Sequence, residues 1–409
     1  MEDSRLFLLL DIDGVLLEAH GYRLAAVDTI NDMLRLMGQP GLTVDRSVTD
    51  AFEVNGISAE WDMVPLTLAA FVSWYIERSG TVPPIAGEMP DCGAVPMTDA
   101  EGFRRMLADR IRTYASLLDP ALNVIDAVRV AFEAGRCAGL QPLRDAGLGG
   151  RFFRDTLDPW KCPFFRELMC RIIGSERFAE FYGMPAPLAC EAYLETKDRP
   201  ILSETWRKLL PELSGKCVWP AVLTYRPTLL PVRDGNNRAL YYVNTPDGEC
   251  ALRLLGWADG RIPMVGSGSL CYIEDKYGLR REYYVKPHPF HALAAVLSTL
   301  CADPLEALEL ARILCETDPA NGKDPAERLL LKGRKLRLAV FEDSVSGIEC
   351  TKNAADVLRK WGYETEILLC GIRTTAEKNQ RLTRAGAVLY DDVNAAFCKV
   401  LGDPERIDQ

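Results

Sequence analysis

The chain has 409 residues, 48% of them hydrophobic and 26% charged. That balance suits a globular protein of two or three domains and excludes a disordered or low-complexity chain. A net charge of −10 offers no basic footprint for nucleic acid, so an anionic ligand must be drawn by local charges.

In chain order, the first predicted element is the apolar run Leu6 to Leu10, which has the length of a buried strand. It ends in Asp11-Ile12-Asp13-Gly14, two carboxylates one residue apart followed by a residue free to turn sharply. Residues 22–37 place Leu24, Val27, Ile30, Leu34 and Met37 on one helical face, with Gly38 as a stop. Residues 59–75 predict a second amphipathic helix, with Pro65 tolerable near its start. Residues 103–118 and 123–132 continue the helical pattern, and 162–182 and 203–210 resume it. Residues 80–98 and 138–150, rich in Gly and Pro, read as loops. Strands are expected at 218–223, 262–265, 336–341, 366–369 and 387–390, with helices between them. Such alternation implies a parallel sheet covered on both faces, an α/β core of Rossmann-like form. Residues 231–250 read as a turn–strand–turn hairpin at the surface.

The ends of these strands carry the chemistry. Open α/β sheets place their sites at the carboxyl ends of the strands. Here those ends supply Asp11 and Asp13, then Thr224-Tyr225-Arg226, then Glu342-Asp343-Ser344, with Lys286-Pro287-His288-Pro289 opening a helix at 290–300. This is an inventory for phosphoryl transfer. A carboxylate attacks phosphorus, a second carboxyl handles protons, hydroxyl and ammonium donors hold the phosphoryl oxygens, and acidic residues hold a hard cation.

The order Asp-Ile-Asp-Gly-Val, Thr, Lys-Pro-x-Pro and Glu-Asp-Ser-x-x-Gly resembles the four motifs of the haloacid dehalogenase-like superfamily, most closely the branch of β-phosphoglucomutase and phosphoglycolate phosphatase. The resemblance implies a core domain at 1–16 and 213–409, with a large helical cap domain inserted at 17–212. It implies that Asp11 is the nucleophile and Asp13 the general acid and base. Thr224 and Lys286 hold the phosphoryl group, with Tyr225 beside them as a substrate contact. Mg²⁺ is the implied cofactor, held by Asp11, Asp13 (through its carbonyl) and Asp343, with Glu342 as a further ligand either directly or from behind these. An acid at position 13 points to a phosphoester rather than a haloacid. The expected activity is hydrolysis of a small phosphomonoester. The alternatives are a phosphomutase, a diphosphate- or terpenoid-acting enzyme on the same fold, and a binding protein without catalysis.

The remaining candidates carry weaker signals. Arg151, Arg154 and Lys161 lie among Phe152, Phe153 and Trp160 and read as a solvated face on an aromatic cluster. Asn55-Gly56 reads as a turn or a selectivity loop. His288 and His291 follow the motif lysine, and His288 reads as a helix-start residue. Arg226 follows the motif threonine, with a side chain that packs or reaches the cap. The 13 cysteines form no Cys-x-x-Cys pair, and His20, His288 and His291 complete no zinc pattern, which predicts reduced thiols in a cytoplasmic protein. No signal peptide and no membrane span are expected, so the expected partner is a small phosphorylated molecule, not a membrane or nucleic acid.

Overall fold

A computed structural model describes residues 4–85, 95–232, 243–321, 323–330 and 333–404. The chain divides into two compact units, Met1–Ala19 with Asp198–Gln409, and His20–Lys197.

The first unit is α/β. Its strands are β1 (Ser4–Leu10), β2 (Leu17–Glu18), β3 (Arg199–Pro200), β4 (Trp219–Leu223), β5 (Met264–Val265), β6 (Lys335–Glu342), β7 (Thr365–Ile372) and β8 (Val388–Tyr390). Six of them form one sheet in the order β5-β4-β1-β6-β7-β8. Every pairing in it is parallel. Parallel neighbours need crossovers, and helices supply them on both faces. The period of two along β1 divides the core. Phe7 and Leu9 join Phe290, Leu293, Leu297 and Ile348 on one face. Leu6, Leu8 and Leu10 join Trp206, Leu252 and Phe397 on the other. Each fully buried side chain of this kind contributes roughly 1.5–3 kcal/mol.

The boundaries expected at 16/17 and 212/213 move inward, to 19/20 and 197/198. Two contacts explain the shift. Strands β2 and β3 pair with each other, Leu17 opposite Pro200 and Glu18 opposite Arg199. The helix Glu204–Leu213 buries Trp206, Leu209 and Leu210 in the same core cluster as β1. Within 231–250, residues 233–242 lie outside the described residues. The second turn expected there is instead the start of the helix Asp247–Leu255.

The second unit is helical among its described residues. The helices Gly21–Leu36, Glu60–Ser79, Ala100–Ala115 and Val124–Glu133 stand where the periodicity placed them. The single helix expected over 162–182 is two, Pro163–Ile173 and Ser175–Tyr182. Gly174 breaks it with φ 85°, a conformation closed to most side chains. Arg46–Val54 is an unexpected helix, opened by the Asp45 carboxylate accepting from the Ser47 N–H. The loop expected at 138–150 contains the short helix Gln141–Asp145 and the start of Gly149–Phe153. No helix among the described residues is long and apolar enough to cross a membrane.

Candidate functional site

Register brings the motif residues together. Leu10 pairs with Val222 on β4 and with Phe341 on β6. Asp11, one residue on, therefore lies level with the ends of both neighbours, and its N–H donates to the Phe341 carbonyl at 3.2 Å. Thr224 follows β4, and Glu342 closes β6. Three carboxylates of Asp11, Glu342 and Asp343 each offer an oxygen within 4.8 Å of the others.

Lys286 is the hub. Its Nζ donates to Asp11 Oδ1 at 2.8 Å, to Glu342 Oε1 at 2.5 Å and to the Leu223 carbonyl at 3.1 Å. All three donors of the ammonium are thus engaged. The lysine is carried by the loop before the helix Pro289–Ser298, where the His288 ring accepts the Phe290 N–H. A cis Lys286–Pro287 peptide shapes that loop. Asn353 and Cys350, on the helix Val345–Lys360, bond the carbonyls of Pro287 and His288 and tie the loop down. Burial alone would lower the lysine's pKa, but the carboxylates of Asp11 and Glu342 outweigh it and raise it. Asp11 is raised well above the usual carboxylate range, first by burial and then by repulsion from Glu342, against the pull of Lys286.

Glu342 is spent on this scaffold. One oxygen receives Lys286, and the other receives the Ser344 hydroxyl at 2.7 Å and its N–H at 3.3 Å. Ser344 in turn caps the helix Val345–Lys360 through the Gly347 N–H. Gly347 is required here, because a Cβ would stand 1.8 Å from Glu342 Oε1. These contacts give Glu342 a positioning part, one of the two places expected of it, and it is also one of the three carboxylates near enough to one another to share a cation. The better placed donors are Asp11, whose Oδ1 alone is engaged by Lys286, and Asp343. Asp343 Oδ2 accepts from Lys378 at 3.2 Å. Its pKa is raised by burial, with Lys378 opposing. Gly14, with φ 77°, passes so close that a Cβ would lie 3.0 Å from Asp343 Oδ2.

The donor set fits a hard cation. Oxygen ligands at about 2.1 Å from Mg²⁺ are separated across the ion by roughly 4 Å, and the carboxylate oxygens of Asp11, Glu342 and Asp343 lie within 4.8 Å of one another. The named carboxylates of Asp11, Asp13, Asp198, Glu342 and Asp343 outnumber the named cations Lys286, Arg226 and Lys378 by two.

Asp13 is held by Arg226, whose side chain was expected only to pack or to reach the cap. Arg226 Nε lies 3.1 Å from both Asp13 oxygens, and its Nη2 is 2.6 Å from Oδ1. The same Nη2 bonds Asp198 Oδ2 at 2.8 Å. Arg226 and Asp198 are buried while the Asp13 side chain is 44% exposed, so the guanidinium is anchored from below and presents the carboxylate outward.

Thr224 is buried, and its Oγ1 accepts the Arg226 N–H at 3.1 Å, which leaves its hydroxyl hydrogen to donate elsewhere. Tyr225, expected as a substrate contact, has its hydroxyl donating to Glu282 Oε1 at 2.6 Å. His291 is buried behind the site, with Nε2 2.9 Å from the Val265 carbonyl. Burial first, then Lys286, pushes it down to about 3, so the ring is neutral. Arg154 pairs with Glu133 and Lys161 with Asp155 and Asp158, all within the helical unit. Asn55 caps the end of Arg46–Val54.

Sequence reasoning missed Asp198, Lys378 and the role of Arg226. Asp198 lies in Thr196-Lys197-Asp198-Arg199-Pro200, which carries no motif signal. Ser344 with Gly347 was the readable part, a capping residue before an apolar helix.

No family model matches the chain, and neither does any curated protein. A crystal structure solved as a Northeast Structural Genomics Consortium target (ZR25) is similar to it, with a TM-score of 0.60 over 98% of this chain and 97% of that one. At 14% identity the similarity concerns the fold alone.

Proposed function

We propose that this protein is a phosphatase of the haloacid dehalogenase type, releasing inorganic phosphate from a small phosphomonoester through a phosphorylated Asp11. The observation that carries the reading is the Lys286 ammonium shared by Asp11 and Glu342 at the carboxyl edge of a parallel sheet, with Asp343 beside it. A structural ion pair needs no second acid at Asp343 and no exposed, arginine-aimed carboxyl at Asp13.

In this reading a free oxygen of Asp11 attacks phosphorus, and the bond to the leaving oxygen breaks. Asp13 gives that oxygen its proton, then takes one from the water that attacks the same phosphorus and frees Asp11. Lys286 holds Asp11 in place and offsets the charge of the incoming phosphoryl oxygens, and the Thr224 hydroxyl donates to one of them. Arg226, fixed by Asp198, sets where Asp13 stands. Asp11 and Asp343, with the Asp13 carbonyl, would hold Mg²⁺, which supplies charge neutralisation for the phosphoryl group when bound.

The test is phosphate release from a panel of phosphorylated metabolites and p-nitrophenyl phosphate, with Mg²⁺ and after EDTA. Release that needs Mg²⁺ supports the reading. Full turnover in EDTA contradicts it.

A further inference from the structure

The helical unit brings two thiols into contact. Cys170 lies in the last turn of Pro163–Ile173, and its Sγ is 3.8 Å from the Sγ of Cys190. The segments that carry them are fastened on both sides of the sulfurs. Ser175 donates its N–H and its hydroxyl to the Cys190 carbonyl, each at 3.0 Å. Gly174 approaches the Ala192 backbone so closely that a Cβ would stand 2.9 Å from its nitrogen. Cys190 Sγ also donates to the Cys170 carbonyl at 3.3 Å.

The two sulfurs differ in access and acidity. Cys170 is buried, whereas Cys190 is half-buried and lines a cleft of about 390 Å³ with Gly174, Ser175, Glu176, Ala192 and Glu195. The contact with Cys170 pulls the Cys190 thiol down to about 7 against its burial, helped by Arg171 and the Ser175 N–H. Cys170 moves the opposite way, raised by the same contact and by burial. A half-buried cysteine with the more acidic thiol, in contact with a buried one, is suited to be an attacking sulfur with a resolving partner.

We propose that Cys170 and Cys190 are an oxidation site that hydrogen peroxide converts to a reversible disulfide. The Cys190 thiolate attacks one peroxide oxygen, the O–O bond breaks, and the displaced hydroxide takes a proton to leave as water. Cys190 is then a sulfenic acid. The Cys170 sulfur attacks the Cys190 sulfur, the S–O bond breaks, and the Cys170 proton departs with the hydroxyl as a second water. The two sulfurs lose two electrons and the peroxide gains them. A dithiol reverses the reaction by exchange. The bridge closes a loop across residues 20 apart in the chain, which joins the end of one helix to the segment leading into Tyr193–Thr196. The site is independent of the phosphatase reading.

The full-length protein, treated with stoichiometric hydrogen peroxide and mapped under non-reducing conditions, tests this. The expected result is a Cys170–Cys190 cross-linked peptide that forms at least about tenfold faster than the exposed Cys217 and Cys398 are oxidised, and that dithiothreitol removes. Its formation raises Tm by roughly 5 °C or more. In Cys170→Ser, Cys190 becomes trappable by dimedone as a sulfenic acid. Recovery of both cysteines as free thiols, or oxidation of Cys190 no faster than Cys217, overturns the proposal. If the variant does not fold, the map of the unaltered protein decides alone.

Discussion

Lys286 is surrounded by more negative charge than it can neutralise, and this makes it the residue least open to substitution. Its removal leaves Asp11 and Glu342 as buried carboxylates facing each other. Breaking a buried pair from one side costs about 3–5 kcal/mol. Lys286→Ala should therefore lose stability of that order in urea unfolding, besides any activity. Asp343 behaves differently. It is a terminal acid paired only with Lys378 among the described contacts, so Asp343→Asn should leave the fold nearly unchanged in the same measurement. Its effect belongs to the cation: the Mg²⁺ concentration for half-maximal phosphate release should rise roughly 10–100-fold. An unchanged Mg²⁺ dependence would remove Asp343 from the ligand set. The motif acids and the lysine were legible in the sequence because each sits at a strand or helix boundary. Asp198 was not, because a buried anchor for an arginine leaves no local pattern.

At the scale of elements, the junction of β6 with the helix Val345–Lys360 is the tightest part of the site. Glu342 folds back under the first turn of that helix, into space that exists only because residue 347 is glycine. Gly347→Ala should displace Glu342 and release Lys286, at a cost of roughly 2–4 kcal/mol despite alanine's better helix propensity. A variant as stable as the parent would mean that the carboxylate has another place to go. The helix Glu60–Ser79 offers a pH test. Burial raises Asp62, in its first turn, to about 7. The fold therefore prefers the neutral acid. That contribution is complete below about pH 4 and is lost as pH rises through about 7. Asp62→Asn should then stabilise the protein more at pH 8 than at pH 5, by on the order of 2–3 kcal/mol at the higher pH. Equal gains at both values would refute the assignment. The six sheet strands could be read from their apolar runs and spacing. The pair β2–β3 could not, since two residues at 17–18 meet two at 199–200 and neither stretch is long enough to show a period. The break at Gly174 was hidden because the apolar face continues through it on both sides.

For the whole molecule, the four motifs lie at 11–14, 224–226, 286–289 and 342–347, and the fold collects Asp11, Lys286, Glu342 and Asp343 at one sheet edge. The helical unit, His20–Lys197, lies in the chain between the first motif and the rest. Within it Arg23 pairs with Asp50 and Glu53, Arg129 with Asp126, and Arg171 with Glu167 and Asp32. The central claim is that Asp11 is the nucleophile of a phosphatase. Its most direct test is the rate of phosphate release by the parent protein and by Asp11→Asn across the same panel with Mg²⁺. The account predicts release from at least one substrate by the parent and a fall of at least about 10⁴-fold in the variant. A variant as fast as the parent, or a parent that releases no phosphate from any of them, would contradict it.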